Sequence, residues 1–313
     1  MERLKIFTFW EPHGNVPPYL ELCRETWDTR LTEYEIVCLD YSNLEEYLGA
    51  GTLDLDTLKK VRFAAQKDAL EVAVLHRHGG LFMDMDTLVV DDLAPILQRL
   101  DRTGVVMFEQ HMAFVAARQG APFLARWLAG IKRNLARIAS GEVDPATFRW
   151  DFLGNAPLHT AYLELLDRSF LWRTIRRTAV GKCFWPSAAS AAPPVGIGDT
   201  VTVRASPPRW RRIGRTWIGG SVADQLIRMD RAKDGFIAEA WNADENLKSP
   251  PESYRRFWFE GGDAVDTMFR PGVRVIGLHH SWTPDWYRNL SRHEVLNHRC
   301  RLSRALRRLL EGR

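Results

Sequence analysis

The sequence predicts an α/β fold with a mostly parallel sheet. Two short apolar segments rich in β-forming residues, 3–10 and 34–40, alternate with segments of helical periodicity from the start of the chain. The 313 residues are 45% hydrophobic and 26% charged, an ordinary balance for a globular protein. No apolar run approaches the roughly 20 residues of a membrane-spanning helix. We therefore expect a single domain that carries irregular insertions in its middle third.

The order of the predicted elements follows from chain breakers and helix signals. Breakers at 11–14 end the first strand, and the glycine pair at 79–80 ends a long helix. The segment 181–220 is rich in Pro, Gly, Ser and Arg, and is predicted to form loops. The predicted strands are 3–10, 34–40, 81–84, 104–110 and 273–280, and the predicted helices are 17–30, 57–78, 121–139, 155–170 and 291–311.

Net charge gives little indication of a partner, but its distribution does. The formal charge is +4, too small to indicate a nucleic-acid partner. Basic residues are concentrated at 207–215 and at 291–313, where arginines alternate with leucines. Such a basic C-terminal helix can lie on an anionic membrane surface. It can equally pack its leucines on the domain with its arginines in solvent, and the sequence leaves both interpretations open.

The cysteines and the N-terminus bear on the compartment. The four cysteines are scattered without a CxxC pair, which excludes a disulfide framework or a zinc ribbon and fits a reducing environment. The apolar core of the N-terminal segment is too short for a signal peptide. We expect a cytoplasmic protein, which the basic C-terminal helix would hold at the inner face of the membrane if it binds lipid.

The segment 76–90, HRHGGLFMDMDTLVV, indicates a metal site. An apolar strand leads into Asp84 and Asp86, at the sheet edge where α/β folds bind ligands. Alternation along an extended chain points both carboxylates to one side. Two hard oxygen ligands, completed by water and phosphate oxygens, suit Mg²⁺ or Mn²⁺. The glycines at 79 and 80 are expected to let a ligand approach the backbone.

Asp68 lies on the apolar stripe of the preceding helix, between Ala65 and Val72. A carboxylate on a buried face must be hydrogen-bonded or paired. One interpretation is an ion pair with a neighbour such as Arg62; the other is a carboxylate that faces a cleft and accepts hydroxyl protons from a sugar. Periodicity does not decide between them.

The run FAAQKDALEVAVLHRHGGLFMDMDTL resembles the DXD region of GT-A glycosyltransferases. The most similar groups are bacterial capsular-polysaccharide synthesis transferases, Och-type mannosyltransferases and the glucosylating domains of clostridial toxins. Three further segments agree with this resemblance, namely KIFTFW at 5–10, FVAARQGAPFL at 114–124 and GLHHSWTPDW at 277–286.

The resemblance implies a GT-A fold, a Rossmann-like mixed sheet flanked by helices. It divides residues 1–290 into a nucleotide-sugar part of about 1–120 and an acceptor-side part of about 121–270, followed by the basic helix. It implies a metal-dependent glycosyltransferase that uses Mn²⁺ or Mg²⁺. The expected donor is a nucleotide-diphosphate sugar, preferably a UDP-sugar. The acceptor is a glycan or lipid-linked glycan in capsule or surface polysaccharide synthesis, and the anomer is retained.

The resemblance also assigns roles residue by residue. The implied donor-binding residues are Phe7, Thr8, Trp10, Arg62, Asp68, Gly80, Asp84 and Trp282. The implied catalytic residues are Asp68, Asp84 and Asp86, and the implied metal ligands are Asp84, Asp86, and either His279 or His280. Asn155 and Trp286 are expected on the acceptor side.

One departure from the family leaves other functions open. The family places Arg three residues after the helical aspartate, where this chain has Glu71. A cation such as Arg62 or Arg77 must then substitute, or the donor differs. The alternatives are a metal-dependent nucleotidyltransferase or phosphohydrolase, although no glycine-rich phosphate loop follows Trp10, and a non-catalytic protein that binds sugar nucleotides.

Overall fold

The computed structural model describes residues 3–12, 14–101, 103–108, 111–158, 160–161, 226–228, 250–260, 265, 269 and 273–311. The predicted fold class is confirmed: a mixed sheet is flanked by helices. The predicted loops at 181–220, and the predicted helix 155–170 beyond its helical residues 155–158 and 160–161, lie outside the described residues.

The main sheet has six strands in the order β2-β1-β3-β6-β5-β7. Strand β1 pairs in parallel with β2 and β3, and β5 with β7, whereas β6 runs antiparallel to both neighbours. A second sheet pairs β4 with β8 in antiparallel fashion. The strands are β1 Lys5–Phe9, β2 Glu35–Leu39, β3 Gly80–Met83, β4 Thr87–Val89, β5 Val105–Phe108, β6 His111–Ala117, β7 Leu226–Arg228 and β8 Val275–Gly277.

The expectation of a mostly parallel sheet is therefore wrong for its centre. Strand β6 follows β5 after two residues, a connection too short for the crossover that parallel neighbours require. Strands β4, β6 and β7 are absent from the elements that the sequence predicts. The predicted strands are all present: β3 has the predicted length, shifted by one residue, and the other four are shorter than expected within the described residues.

Two predicted helices are each divided in two. The helix expected at 57–78 becomes α3 and α4, because the Gln66 side chain donates to the carbonyl of Val61 and the backbone is extended at Arg62. The helix expected at 291–311 becomes α9 and α10, with extended backbone at His298. The helices are α1 Pro18–Arg30, α2 Leu44–Leu48, α3 Leu55–Leu58, α4 Phe63–His78, α5 Ala94–Leu97, α6 Pro122–Ala139, α7 Pro250–Arg255, α8 Asp285–Arg288, α9 Arg292–Asn297 and α10 Arg301–Glu311.

Both faces of strand β3 are buried, as a strand covered by helices on two sides requires. Phe82 of β3 packs in a cluster with residues of α4 and α6, such as Trp127. Its neighbours Leu81 and Met83 face the opposite layer, where Trp27 of α1 packs. Alternation along β3 thus places α4 and α1 on opposite faces of the strand that leads to the aspartates.

The leucine face of the basic C-terminal segment packs against the domain. Leu302, Leu306 and Leu309 are buried in a cluster that includes Tyr19 of α1, and Arg30 donates to the carbonyl of Leu309. These three leucines are not available for insertion into a bilayer. No described helix is both long enough and apolar enough to cross a membrane.

The glycine pair allows close packing of the sheet. Gly80 has φ +98°, and a Cβ there would clash with the carbonyl oxygen of Lys5 in β1. A Cβ on Gly79, with φ +68°, would lie 2.6 Å from the backbone nitrogen of Gln119. Gly80 also begins β3, whereas Asp84 follows its other end. Gly80 is thus separated from the aspartates by the length of β3, and its contact with the donor stays a prediction.

Gly80→Ala is expected to lower the free energy of unfolding by about 2 kcal/mol or more, because it combines backbone strain with a clash against β1. Gly51→Ala is the matched control, since Gly51 also has positive φ (+71°) but a Cβ added there would have no atom within 4 Å. Urea unfolding measures both variants. Equal losses in the two variants would contradict the packing role.

Candidate functional site

Asp84 and Asp86, the aspartate pair, lie at the carboxyl end of β3. The Asp84 backbone nitrogen donates to the carbonyl of Ala113 at 3.0 Å, and the Thr87 nitrogen donates to the carbonyl of Asp84 at 3.1 Å. The chain therefore turns between β3 and β4 instead of continuing as the extended strand assumed in the prediction. The Asp84 side chain is 28% exposed, whereas Asp86 is only 8% exposed.

Asp86 is a carboxylate whose charge is disfavoured by its surroundings. Burial and, secondly, the neighbouring charge of Asp84 raise its pKa from 3.8 to about 7. His279 and the backbone N–H of His280 act in the opposite direction, and that N–H donates to Asp86 Oδ2 at 2.5 Å. The two carboxylates are thus close enough to repel each other, which is the arrangement that a divalent cation relieves.

Lys67 is the central cation of the site, and it is missing from the residues that the sequence predicts. Its Nζ lies 2.9 Å from Asp84 Oδ1, 3.1 Å from Asp68 Oδ1 and 3.4 Å from Glu71 Oε2. It also donates to the carbonyl of Met112 at 3.0 Å. Although burial alone would lower the pKa of Lys67, the three carboxylates raise it well above its usual value, so the ammonium stays charged.

Glu71, the departure from the family pattern, is fully buried beside Lys67. Burial raises its pKa well above the usual value, and the Lys67 charge opposes that rise. Its Oε1 has no hydrogen-bond partner among the described residues. Lysine and glutamate four residues apart on a helix face one another, and this spacing is the signal in the sequence that points to Lys67.

The arginines suggested as substitutes lie elsewhere. Arg62 donates to the carbonyl of Phe148 and places its guanidinium 4.9 Å from the Phe148 ring centre. Arg77 donates to the carbonyl of Leu48 at 2.9 Å, at the end of α2. Lys67, rather than either arginine, supplies the cation beside Asp84, so the suggestion of Arg62 or Arg77 is corrected.

Asp68 faces the site through its ion pair with Lys67, and its side chain is 14% exposed. A Cβ on Gly154 would clash with Asp68 Oδ2, so this carboxylate fits closely against the Gly154 backbone. Asn155 follows Gly154, and its buried Oδ1 has no hydrogen-bond partner among the residues described. The structure thus brings Asp68 and the backbone beside Asn155 together.

The two histidines have different surroundings. His280 Nδ1 lies 2.6 Å from the hydroxyl of Tyr19, and its ring packs edge-on against Trp10 at 5.1 Å. Burial, together with Arg288, lowers the pKa of His280 to about 4. The His279 ring instead lies 3.8 Å from that of Trp282, and its charge acts on Asp86.

The predicted base-binding residues are mostly interior. Phe7 is fully buried in the core against Tyr47, so the prediction that it contacts the donor is wrong. Thr8 is also fully buried, and its hydroxyl has no hydrogen-bond partner within the described part of the chain. Trp10 is 9% exposed and packs edge-on against Phe63, which is 37% exposed and is absent from the predicted site residues.

The aspartate pair could hold a divalent cation together with phosphate oxygens and water. No three His, Cys, Asp or Glu side chains within the described ranges are arranged to bind a metal. The residues present therefore fit a metal ion that is coordinated by two carboxylate oxygens and, in its remaining positions, by oxygens of a bound ligand and water. The third protein ligand, His279 or His280, stays a prediction. Three of the cysteines, Cys23, Cys38 and Cys300, are free thiols.

Comparisons with known proteins cover part of the chain. A solved structure described as a PaToxG glycosyltransferase is similar at 14% identity and a TM-score of 0.38, covering 56% of this chain and 74% of that one. No curated protein matches the chain. Residues 1–128 match a family described as capsular polysaccharide synthesis protein. The resemblance to capsular polysaccharide synthesis proteins is thereby confirmed for the part of the chain that carries Lys67, Asp68 and the aspartate pair.

Proposed function

We propose that this protein is a glycosyltransferase that moves a sugar from a nucleotide-diphosphate donor to a glycan or lipid-linked glycan in capsule or surface polysaccharide synthesis. The observation that carries the proposal is the aspartate pair at the carboxyl end of β3, where Asp84 pairs with Lys67, the lysine that also pairs with Asp68. The match of residues 1–128 to capsular polysaccharide synthesis proteins supports the same assignment.

The chemistry requires a leaving diphosphate to be stabilised while positive charge develops at the anomeric carbon. A Mn²⁺ or Mg²⁺ ion held by Asp84 and Asp86 would neutralise the charge that builds on the phosphates. Asp68, fixed by Lys67 at 3.1 Å, accepts hydrogen bonds from donor-sugar hydroxyls. The backbone N–H of His280 orients Asp86 through the bond to its Oδ2.

A thermal-shift panel of UDP-, GDP- and CMP-sugars, each with and without Mn²⁺, tests the proposal. A UDP-sugar is expected to raise the unfolding temperature in the presence of Mn²⁺, because a ligand that binds only the folded state stabilises it. The gain should disappear in excess EDTA. Stabilisation by nucleoside triphosphates and not by nucleotide sugars would favour a nucleotidyltransferase and contradict the proposal.

Retention of the anomeric configuration is part of the proposal and rests on the family resemblance. Proton NMR of the glycoside product measures the coupling of the anomeric proton at the new linkage. A product with the donor's configuration is expected. The opposite configuration would assign an inverting mechanism while leaving glycosyl transfer itself intact.

Trp10→Ala is expected to weaken UDP binding, because the ring lies at the end of β1, where α/β folds bind nucleotides. Loss of base stacking is expected to reduce the free energy of UDP binding by about 1–3 kcal/mol. Calorimetry with UDP and Mn²⁺, at a temperature where circular dichroism shows a folded variant, measures the effect. Phe63→Ala is the comparison, since Phe63 is the more exposed neighbour. Unchanged UDP affinity in Trp10→Ala would assign that ring to the core.

A further inference from the structure

A pocket of about 380 Å³ adjoins the segment that follows the two histidines, and its volume is within the usual range of small-ligand sites. One wall follows α7 and the single π-helical turn Arg256–Glu260, and the other is the start of α8. The pocket is lined by Arg255, Phe259, Glu260, Pro284, Asp285 and Trp286.

Trp286 gives the pocket an exposed aromatic surface. It is 47% exposed, whereas Trp27, Trp127 and Trp258 are fully buried. Its position is fixed by surrounding rings: Phe259 lies edge-on at 5.8 Å, and the His298 ring lies at 5.0 Å. A large aromatic side chain that stays exposed and is held rigidly from behind is suited to a ligand with an apolar face.

The pocket lining has no excess of positive charge. Its charged residues are Arg255, Glu260 and Asp285, and Asp285 forms an ion pair with Arg288, which lies outside the lining. The lining therefore carries one cation and two carboxylates, one of them paired. Such a set of donors and acceptors suits a neutral ligand rich in hydroxyl groups, whereas a phosphate or a uronic acid would need an excess of positive charge.

The pocket and the aspartate site share the segment that carries the two histidines. Arg255 Nε donates to the carbonyl of Trp282 at 3.1 Å, and the Trp282 ring lies 3.8 Å from that of His279. The hydroxyl of Tyr254 accepts the backbone N–H of His279 at 3.1 Å. A ligand in the pocket would thus contact the segment that also positions Asp86.

We propose that this pocket binds an uncharged sugar ring of the acceptor glycan, with one face of the ring against Trp286 and its hydroxyl groups bonded to Arg255, Glu260 and Asp285. The acceptor role rests on the proposed glycosyltransferase function, whereas glycan binding itself does not. The pocket lies outside residues 1–128. Acceptors would therefore be selected by residues other than the aspartate pair.

Calorimetry of the full chain with maltotriose, cellotriose and chitotriose, without nucleotide sugar or metal, tests the proposal, and trigalacturonate is the charged comparison. At least one neutral trisaccharide is expected to bind, and Trp286→Ala is expected to weaken it about tenfold or more. Trp150→Ala is the matched control, since Trp150 is 60% exposed and does not line the pocket. It is expected to bind like the wild type.

Three results would overturn the proposal. These are no binding of any neutral trisaccharide at millimolar concentration, equal binding by Trp286→Ala and the wild type, or binding of trigalacturonate alone. Because the calorimetry needs neither donor nor metal, its outcome is independent of the nucleotide-sugar panel. If a neutral glycan binds while no nucleotide sugar stabilises the protein, the proposed glycan site stands and the proposed glycosyltransferase function is contradicted.

Discussion

Asp86→Asn is expected to lower sugar transfer by roughly three orders of magnitude, because it removes one of the two ligand charges that hold the divalent cation at the leaving diphosphate. The fold should be unaffected. The asparagine oxygen can still accept the backbone N–H of His280, the bond that Asp86 Oδ2 makes at 2.5 Å. Turnover of a UDP-sugar with Mn²⁺ and the thermal unfolding of each protein measure the two effects.

Although Asp86→Asn lowers activity, it should make the free energy of unfolding less sensitive to rising pH when no metal is bound. Since the pKa of Asp86 is raised from 3.8 to about 7, the folded protein holds this proton more tightly than the unfolded chain does. Without metal, the wild type therefore loses stability as the pH rises between those two values. Asp86→Asn should lose less unfolding free energy over the same pH range. Unfolding of both proteins in EDTA at pH 5 and pH 8 measures this difference.

The control is Asp91→Asn, which alters an exposed aspartate paired with Arg274 just beyond β4. It should retain both activity and stability, because exposed ion pairs contribute little. Full activity of Asp86→Asn, or full activity of the wild type in excess EDTA, would contradict the assignment of the aspartate pair.

Lys67→Met is expected to cost about 3–5 kcal/mol of unfolding free energy, because removing one partner of a buried ion cluster leaves uncompensated charge. Three carboxylates, those of Asp68, Glu71 and Asp84, lie within 3.4 Å of the ammonium nitrogen. Urea unfolding measures the loss. Lys60→Met replaces an exposed lysine before α4 and should change stability little.

A second substitution tests the origin of that loss. Glu71→Gln replaces a buried carboxyl group whose Oε1 lacks a hydrogen-bond partner among the described residues. Combined with Lys67→Met, it should recover part of the lost stability, which a double-mutant cycle measures as a coupling between the two positions. Additive effects, or a loss below about 1 kcal/mol in Lys67→Met, would contradict the role of Lys67 as counter-ion.

The features that are predictable from the sequence depend on local signals. Strand β1, helix α1 and helix α6 have clear hydrophobic patterns and end at breakers or caps within a few residues of the predicted bounds. Asp84 and Asp86 are identifiable because an apolar strand leads directly into them. Such signals need only neighbouring residues, so a single sequence contains them.

The features that escape prediction depend on distant residues. In sequence, the spacing of Lys67 and Glu71 indicates only a pair on one helix face; Asp84 and the carbonyl of Met112 approach Lys67 only in the fold, from other elements. The close approach of Gly80 to Lys5 is likewise hidden, because Lys5 lies in another strand. The sequence draws attention to the ring of His280, whereas this residue also acts through its backbone N–H on Asp86.

The pairing of β4 with β8 also has a consequence for how the protein matures. Leu278 donates to the carbonyl of Asp86 at 3.0 Å, and the Asp86–His280 bond closes a loop between residues 194 apart in sequence. Closing a loop of that length is entropically costly and slow. During synthesis on a ribosome, the aspartates emerge long before the segment that orients them. We expect the nascent chain to acquire its central sheet first and its competence for catalysis only after the residues around 280 have left the exit tunnel.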